Sequence, residues 1–180
     1  MKIWNTALRR ALRRFKRDDR GSSSVEFVVV FPLLFFVIAA IFEVGVLATR
    51  TVLLERALDV AARDLRLGND PFVSHDTFKT TVCGHAPLLF SCDNDLVIEL
   101  RELNVADAYP QNQANCQDSA GAVDPTITFS AGGRNRIMFI RACLVVRPIF
   151  PGIGVGLQMP KDAGGGYQIV SYTAFMNEPA

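Results

Sequence analysis

From Phe27 to Phe42 the chain carries no charged side chain, and after Glu43 the apolar character resumes as far as Ala48. A bilayer core about 30 Å thick is crossed by about 20 residues of helix, so this stretch constrains the chain more than any other feature. It reads as a membrane span over about residues 27–48. A buried helix of a soluble domain is rarely so rich in Phe, Val, Ile and Leu on every face in a chain of 180 residues. Pro32 lies inside the run. A membrane helix tolerates it through neighbouring groups and local adjustment, and a kink or a locally unwound turn is expected there.

The residues before the run are strongly basic. Lys2, Arg9, Arg10, Arg13, Arg14, Lys16, Arg17 and Arg20 face only Asp18 and Asp19, a net +6 over the first twenty residues. The other 160 residues carry eleven basic and sixteen acidic side chains, net −5, so a total of +1 hides a divided chain. Basic residues beside a membrane segment are retained on the cytoplasmic side during insertion. Ile3, Trp4, Ala7, Leu8, Ala11, Leu12 and Phe15 recur at helical spacing, which suits an amphipathic leader on an anionic leaflet. A nucleic-acid arm is the competing reading of such charge, but the apolar run explains it without one. No nucleic-acid partner is expected; the lipid bilayer is.

Between leader and span stand Arg20, Gly21, Ser22, Ser23, Ser24, Val25, Glu26 and Phe27. An ordinary secretory signal places its small-residue cleavage site after the apolar segment and loses that segment. Here the small residues come first, so a cut at Gly21 retains the apolar segment as the new N-terminus. Glu26 at the start of the run is costly in lipid, where a carboxylate at the bilayer centre costs about 2.5–3.5 kcal/mol, and less at the interface. Glu43 is expected to reach the outer interface.

Helical spacing continues beyond the span. Leu47, Leu54, Leu58, Ala61, Ala62 and Leu65 form an apolar stripe, with Arg50, Glu55, Arg56, Asp59, Arg63 and Asp64 on the other side. Gly68 and Pro71 supply the stop. One helix over residues 22–67 follows, about 69 Å long at 1.5 Å per residue, membranous in its first half and amphipathic in its second. The amphipathic half needs a partner. Residues 96–103, 126–130, 136–147 and 167–176 read as strands, with 131–135 a turn between the second and third. Residues 75–82 suit a short helix, and the Pro/Gly-rich stretch 148–166 reads as an exposed, mobile loop. The expected fold class is α+β: the long helix packed on a small, four-stranded antiparallel sheet. The chain divides into a leader (1–21), the long helix (22–67) and an α+β region (68–180).

Cys83, Cys92, Cys116 and Cys143 all lie beyond the span, on the side expected to be oxidising. Three pairings are open to four cysteines. Cys83–Cys92 and Cys116–Cys143 are favoured because nearest pairs close at least entropic cost. No Cys-x-x-Cys occurs and His75 and His85 lack ligand spacing, so neither a metal site nor a cofactor is expected. The sequence also has no Gly-x-Ser-x-Gly, phosphate loop or His-Glu-x-x-His, and the glycines of 152–156 lack dinucleotide-binding spacing. The chain is read as no enzyme.

The junction resembles a prepilin cleavage site: Gly at the cut, Glu at the fifth mature position and an aromatic at the sixth, here Glu26 and Phe27 counted from Ser22. With Val28-Val-Val-Phe-Pro-Leu-Leu34 following and Ile41-Phe-Glu-Val-Gly45 beyond, it is similar to the N-terminal signature of TadE-like proteins, minor pilins or pseudopilins of the tight-adherence (Flp pilus) system. The ending Phe175-Met-Asn-Glu-Pro179 also resembles that family's tail. The resemblance is strong over residues 20–67. It implies a pilin-like fold, processing at Gly21/Ser22 by a prepilin peptidase, and recognition through Glu26 and Phe27. It also implies other pilin or pseudopilin subunits and the inner-membrane assembly platform as partners. The implied location is the bacterial inner membrane, single-pass, with the N-terminus cytoplasmic, the C-terminal region periplasmic and incorporation into an extracellular pilus. The alternative is an uncleaved inner-membrane anchor with a periplasmic protein-binding domain.

Overall fold

The computed structural model describes residues 22–67, 73–89, 92–103, 116, 128–130, 132–133 and 135–177. The leader and Gly21 lie outside them. The first element is a single helix, α1, Ser22–Arg66, ended at Leu67 by a turn whose N–H donates to the Arg63 carbonyl at 3.1 Å. Pro32 sits inside α1 and the helix runs through it without a break, so no unwound turn forms there. The chain divides into two compact units, the first ending at Ala39 and the second beginning at Ala40.

In the first unit, every large apolar side chain from Phe27 to Ile38 is exposed. In the second unit the same helix behaves differently: Leu54, Ala57, Leu58, Ala61 and Ala62 are buried, at the three- and four-residue spacing that puts them on one face. The three alanines and two leucines belong to the same buried apolar core as the sheet residues.

Three further helices and three strands complete the second unit: α2 (His75–Gly84), α3 (Cys92–Asp95), β1 (Leu96–Leu103), β2 (Ile137–Val146), α4 (Val155–Gln158) and β3 (Tyr167–Met176). The strands pair antiparallel in the order β1-β2-β3. The register aligns Leu96, Leu144 and Ile169 across one face, then Ile98, Ala142 and Ser171, then Leu100, Ile140 and Thr173. The apolar members of these rows join the α1 alanines and leucines in one core. The opposite face carries Val97, Phe139, Arg141, Cys143 and Val145, also buried. A central strand covered on both faces explains why β2 reads as a continuous apolar run rather than an alternating one. Arg141 survives there because it lies directly across from Glu99, whose carboxylate accepts from both its Nε, at 2.9 Å, and its Nη2.

Among the described residues the sheet has three strands, not the four expected. Of the segment expected over 126–130, residues 126 and 127 lie outside the described set, and Phe129 makes one isolated parallel bridge to Leu100. Both flanking bonds, Leu100 N to Thr128 O at 2.9 Å and Ser130 N to Leu100 O at 3.0 Å, involve that one residue of β1. The segment meets the outer edge of β1 at that single bridge. Its Phe129 ring then packs edge-on to His75, at 5.4 Å between centroids, and against Phe78 of α2. Gly132, at φ +66, takes the chain out of extended conformation just beyond.

Ser74 caps α2 by accepting from the Thr77 N–H at 3.2 Å. A disulfide from Cys83 at the end of α2 to Cys92 in α3 holds the connection, with Cα atoms 5.7 Å apart. A second links Cys116 to Cys143 on the outer face of β2, with Cα atoms 5.4 Å apart. The stretch 148–166, expected as a mobile loop, is built up by its own bonds. It contains α4, and its end is a turn in which Asp162 accepts from the N–H groups of Gly165 and Gly166, the latter at 2.7 Å to Oδ1.

Candidate functional site

Two carboxylates bracket the apolar half of α1, and the fold treats them oppositely. Ser22 opens the helix and Glu26 follows one turn later, exposed. Phe27, 63% exposed, stacks on Phe31 with ring centroids 5.1 Å apart, and Phe31 stacks on Phe35 at 6.4 Å. These four-residue steps make an aromatic ladder along one side of the helix. Among the described residues no basic side chain pairs with this acceptor, which stands beside a strip of apolar rings. Such a surface can take a cationic or amine group from elsewhere only where water is excluded, since an ion pair in water is worth little. Glu26 and Phe27 therefore share the first turns of α1 with Ser22.

Glu43, expected at the outer interface, does not stand free there: its side chain is 1% exposed. The carboxylate accepts from the Ile149 N–H on both oxygens, at 3.1 and 3.0 Å, and from the Phe150 N–H on Oε2 at 3.0 Å. The Tyr167 hydroxyl lies 3.4 Å from Oε1. Two turns along the same helix face, Arg50 donates from Nη1 to the Arg147 carbonyl at 3.2 Å. Positions 43 and 50 of α1 thus clamp residues 147–150, where the chain leaves β2. Burial, then the negative charge of Glu43, raise the Tyr167 hydroxyl above the ordinary tyrosine value of 10.0, with Arg50 opposing. The sequence held one signal for this clamp: Glu43 interrupts an apolar run, and an acidic side chain there needs donors.

The loop is shaped for the contact. A Cβ added at Gly154, which has φ +55, would lie 2.9 Å from the Ala40 Cβ. One added at Gly156 would strike the Phe150 carbonyl. Phe150 in turn meets Phe42 edge-on at 6.5 Å between centroids.

Among the described residues no group of three or more His, Cys, Asp or Glu side chains is placed to hold a metal. The arrangement at Glu43 is one of hydrogen-bond donors matched to a carboxylate acceptor. Among the described residues one helix is long and apolar enough to cross a membrane, the Ser24–Arg66 part of α1, which makes it compatible with a single-pass anchor. Residues 21–63 match the family model described as TadE-like protein. This segment is TadE-like. The TadE-like match covers the junction, the exposed apolar half of α1 and most of its buried half. Comparison with curated proteins and with solved structures found no match. Gly21 lies outside the described residues, and Cys83, Cys92, Cys116 and Cys143 serve the fold of the second unit rather than the first turns of α1.

Proposed function

We propose that the chain is a minor pilin or pseudopilin of the tight-adherence pilus system, cut after Gly21 by a prepilin peptidase and carried into the assembly by α1. The observation that carries this reading is the coincidence of the TadE-like match, residues 21–63, with an apolar helix whose large side chains from Phe27 to Ile38 are all exposed. An apolar surface of that extent requires lipid before assembly and neighbouring helices after it. The basic leader favours a cytoplasmic N-terminus, which puts the disulfide-bearing second unit on the oxidising side. In this reading Glu26 meets the α-amine freed at Ser22 of a neighbouring subunit. Its own amine sits one turn away along the same helix and is poorly placed for a short contact.

The alternative is an uncleaved anchor, and it gives no reason for Gly21 and Glu26 at their spacing. N-terminal sequencing of the protein from membranes with active prepilin peptidase separates the two: Ser22 first supports processing, and Met1 first rejects it. Gly21→Val should leave the full-length precursor, because a β-branched side chain crowds a site that accommodates only hydrogen.

A further inference from the structure

The clamp at Glu43 holds a segment whose composition suits neither a solvent loop nor a sealed core. From Pro148 to Pro160 there is no charged residue, and a cation stands at each end, Arg147 and Lys161. Ile149 is 45% and Leu157 64% exposed. Beside them on α1, Ile41, Phe42 and Val44 are exposed as well, so loop and helix present a shared apolar surface.

Part of the loop backbone has no N–H left for water to meet. Pro148, Pro151 and Pro160 have no N–H to satisfy. The N–H groups of Ile149 and Phe150 go to Glu43, and those of Ile153, Leu157 and Met159 go to the carbonyls of Phe150, Gly154 and Val155, at 3.1–3.3 Å. Lys161 Nζ bonds the Pro151 carbonyl at 2.9 Å, its stem lying along the loop and its charge at the loop's edge. Irregular backbone is tolerated near hydrocarbon only where its polar groups are met in this way.

The level also fits. Counted from Phe27, about 20 residues of helix cross the bilayer core and end near residue 46. The loop docks on positions 40, 42 and 43. At 1.5 Å per residue these lie about 5–9 Å below that end. Apolar faces of interfacial segments are buried to about 5–10 Å.

We propose that residues 148–160 form a foot that rests in the lipid bilayer at the headgroup–acyl boundary on the C-terminal side of the span, with Ile149 and Leu157 as its inserted side chains. The foot fixes the height of the second unit above the membrane. This inference rests on α1 spanning the bilayer.

Trp4 is the sole tryptophan of the chain, so a Trp4→Phe background makes a single-reporter experiment feasible. The full chain is reconstituted into phosphatidylethanolamine/phosphatidylglycerol vesicles containing lipids brominated on the acyl chain near the headgroup. Leu157→Trp and Ile149→Trp, each an exposed site, should lose most of their emission. Tyr172→Trp, about 16 Å further along β3 from the clamp at 3.3 Å per residue, should keep it. Phe35→Trp, read in matched vesicles whose lipids are brominated deep on the acyl chain, reports insertion of α1. Quenching at Phe35→Trp with none at Leu157→Trp and Ile149→Trp overturns the foot while leaving the span intact. If those two positions are also shielded from aqueous acrylamide, a protein partner covers the loop instead. Absence of quenching at Phe35→Trp refutes the span itself, and the foot with it.

Discussion

Glu26 and Glu43 are the same side chain at the two ends of one apolar run, and the protein gives them opposite settings. Glu26 is exposed on a helix whose neighbouring large side chains are exposed too. Glu43 is enclosed, with two backbone N–H groups and a tyrosine hydroxyl directed at it. The contrast extends to the apolar residues. From Phe27 to Ile38 the helix is built of large side chains that find no cover, whereas Leu54, Ala57, Leu58, Ala61 and Ala62 find theirs within the chain. Small residues at the packed end and bulky ones at the bare end are what close packing against a sheet and contact with fluid surroundings respectively require. A region whose interactions are complete can be judged by its stability. The other, in the proposed reading, is completed by its surroundings, and is tested by assembly.

The sharpest way to break this comparison is to make the same substitution at both carboxylates. Glu43→Leu leaves the Ile149 and Phe150 N–H groups and the Tyr167 hydroxyl without their acceptor. Unsatisfied buried groups cost about 1–3 kcal/mol each, so a total loss of at least about 3 kcal/mol is expected. Glu26→Leu removes a charge from apolar surroundings and should leave stability within about 0.5 kcal/mol, as for an exposed site. Urea unfolding of the detergent-solubilised chain, followed by circular dichroism, reads both. The variant that folds normally, Glu26→Leu, should fail to co-purify with sheared pili or assembly complexes. Equal stability losses at the two positions would erase the distinction.

A second comparison sets leucine against leucine. Leu58 is fully buried between α1 and the sheet, while Leu34 is half exposed on the bare part of α1. Leu58→Ala should cost about 2–5 kcal/mol through lost transfer energy and the cavity left behind. Leu34→Ala should cost less than about 0.5 kcal/mol in the isolated protein. A large loss at Leu34 under the same urea measurement would mean that this part of the helix is packed after all.

Much of this contrast is legible in the sequence, and the part that is not has a physical cause. The run from Phe27, the stripe through Leu54 and Leu58 and the stop near Leu67 all depend on local periodicity, and the observed α1 follows them. β1 and β3 likewise carry their own pattern. Of the expected fourth strand, the described residues 128–130 make one bridge to the edge of β1, and how far two segments pair is a tertiary matter that strand-like residue types do not carry. The clamp is harder still to read. Its donors, at positions 149 and 150, are backbone groups more than a hundred residues from Glu43, and a backbone N–H leaves no trace in residue type. Glycine at 154 and 156 was visible, yet nothing local says that the space beside it belongs to Ala40 and Phe150.

The smallest expected effect tests the clamp by titration. Tyr167→Phe removes the hydroxyl whose oxygen lies 3.4 Å from Glu43, a net loss of about 0.5–1.5 kcal/mol at neutral pH. Burial first, and the Glu43 charge second, raise the folded Tyr167 above the value of 10.0 that it has when unfolded. A raised value means that the folded state holds its proton where the unfolded state has begun to release one. The stability contributed by Tyr167 is therefore complete below the unfolded value and is lost as pH rises towards the folded one. The phenylalanine variant has no such proton, so the gap between wild type and variant should narrow between about pH 9 and about pH 11. Taking the difference between the two proteins cancels the titration of every other lysine and tyrosine. Urea unfolding at a series of pH values gives that difference directly. A gap that stays constant, or widens, above pH 10 would mean that Tyr167 ionises as readily in the fold as out of it, and that Glu43 does not act on it.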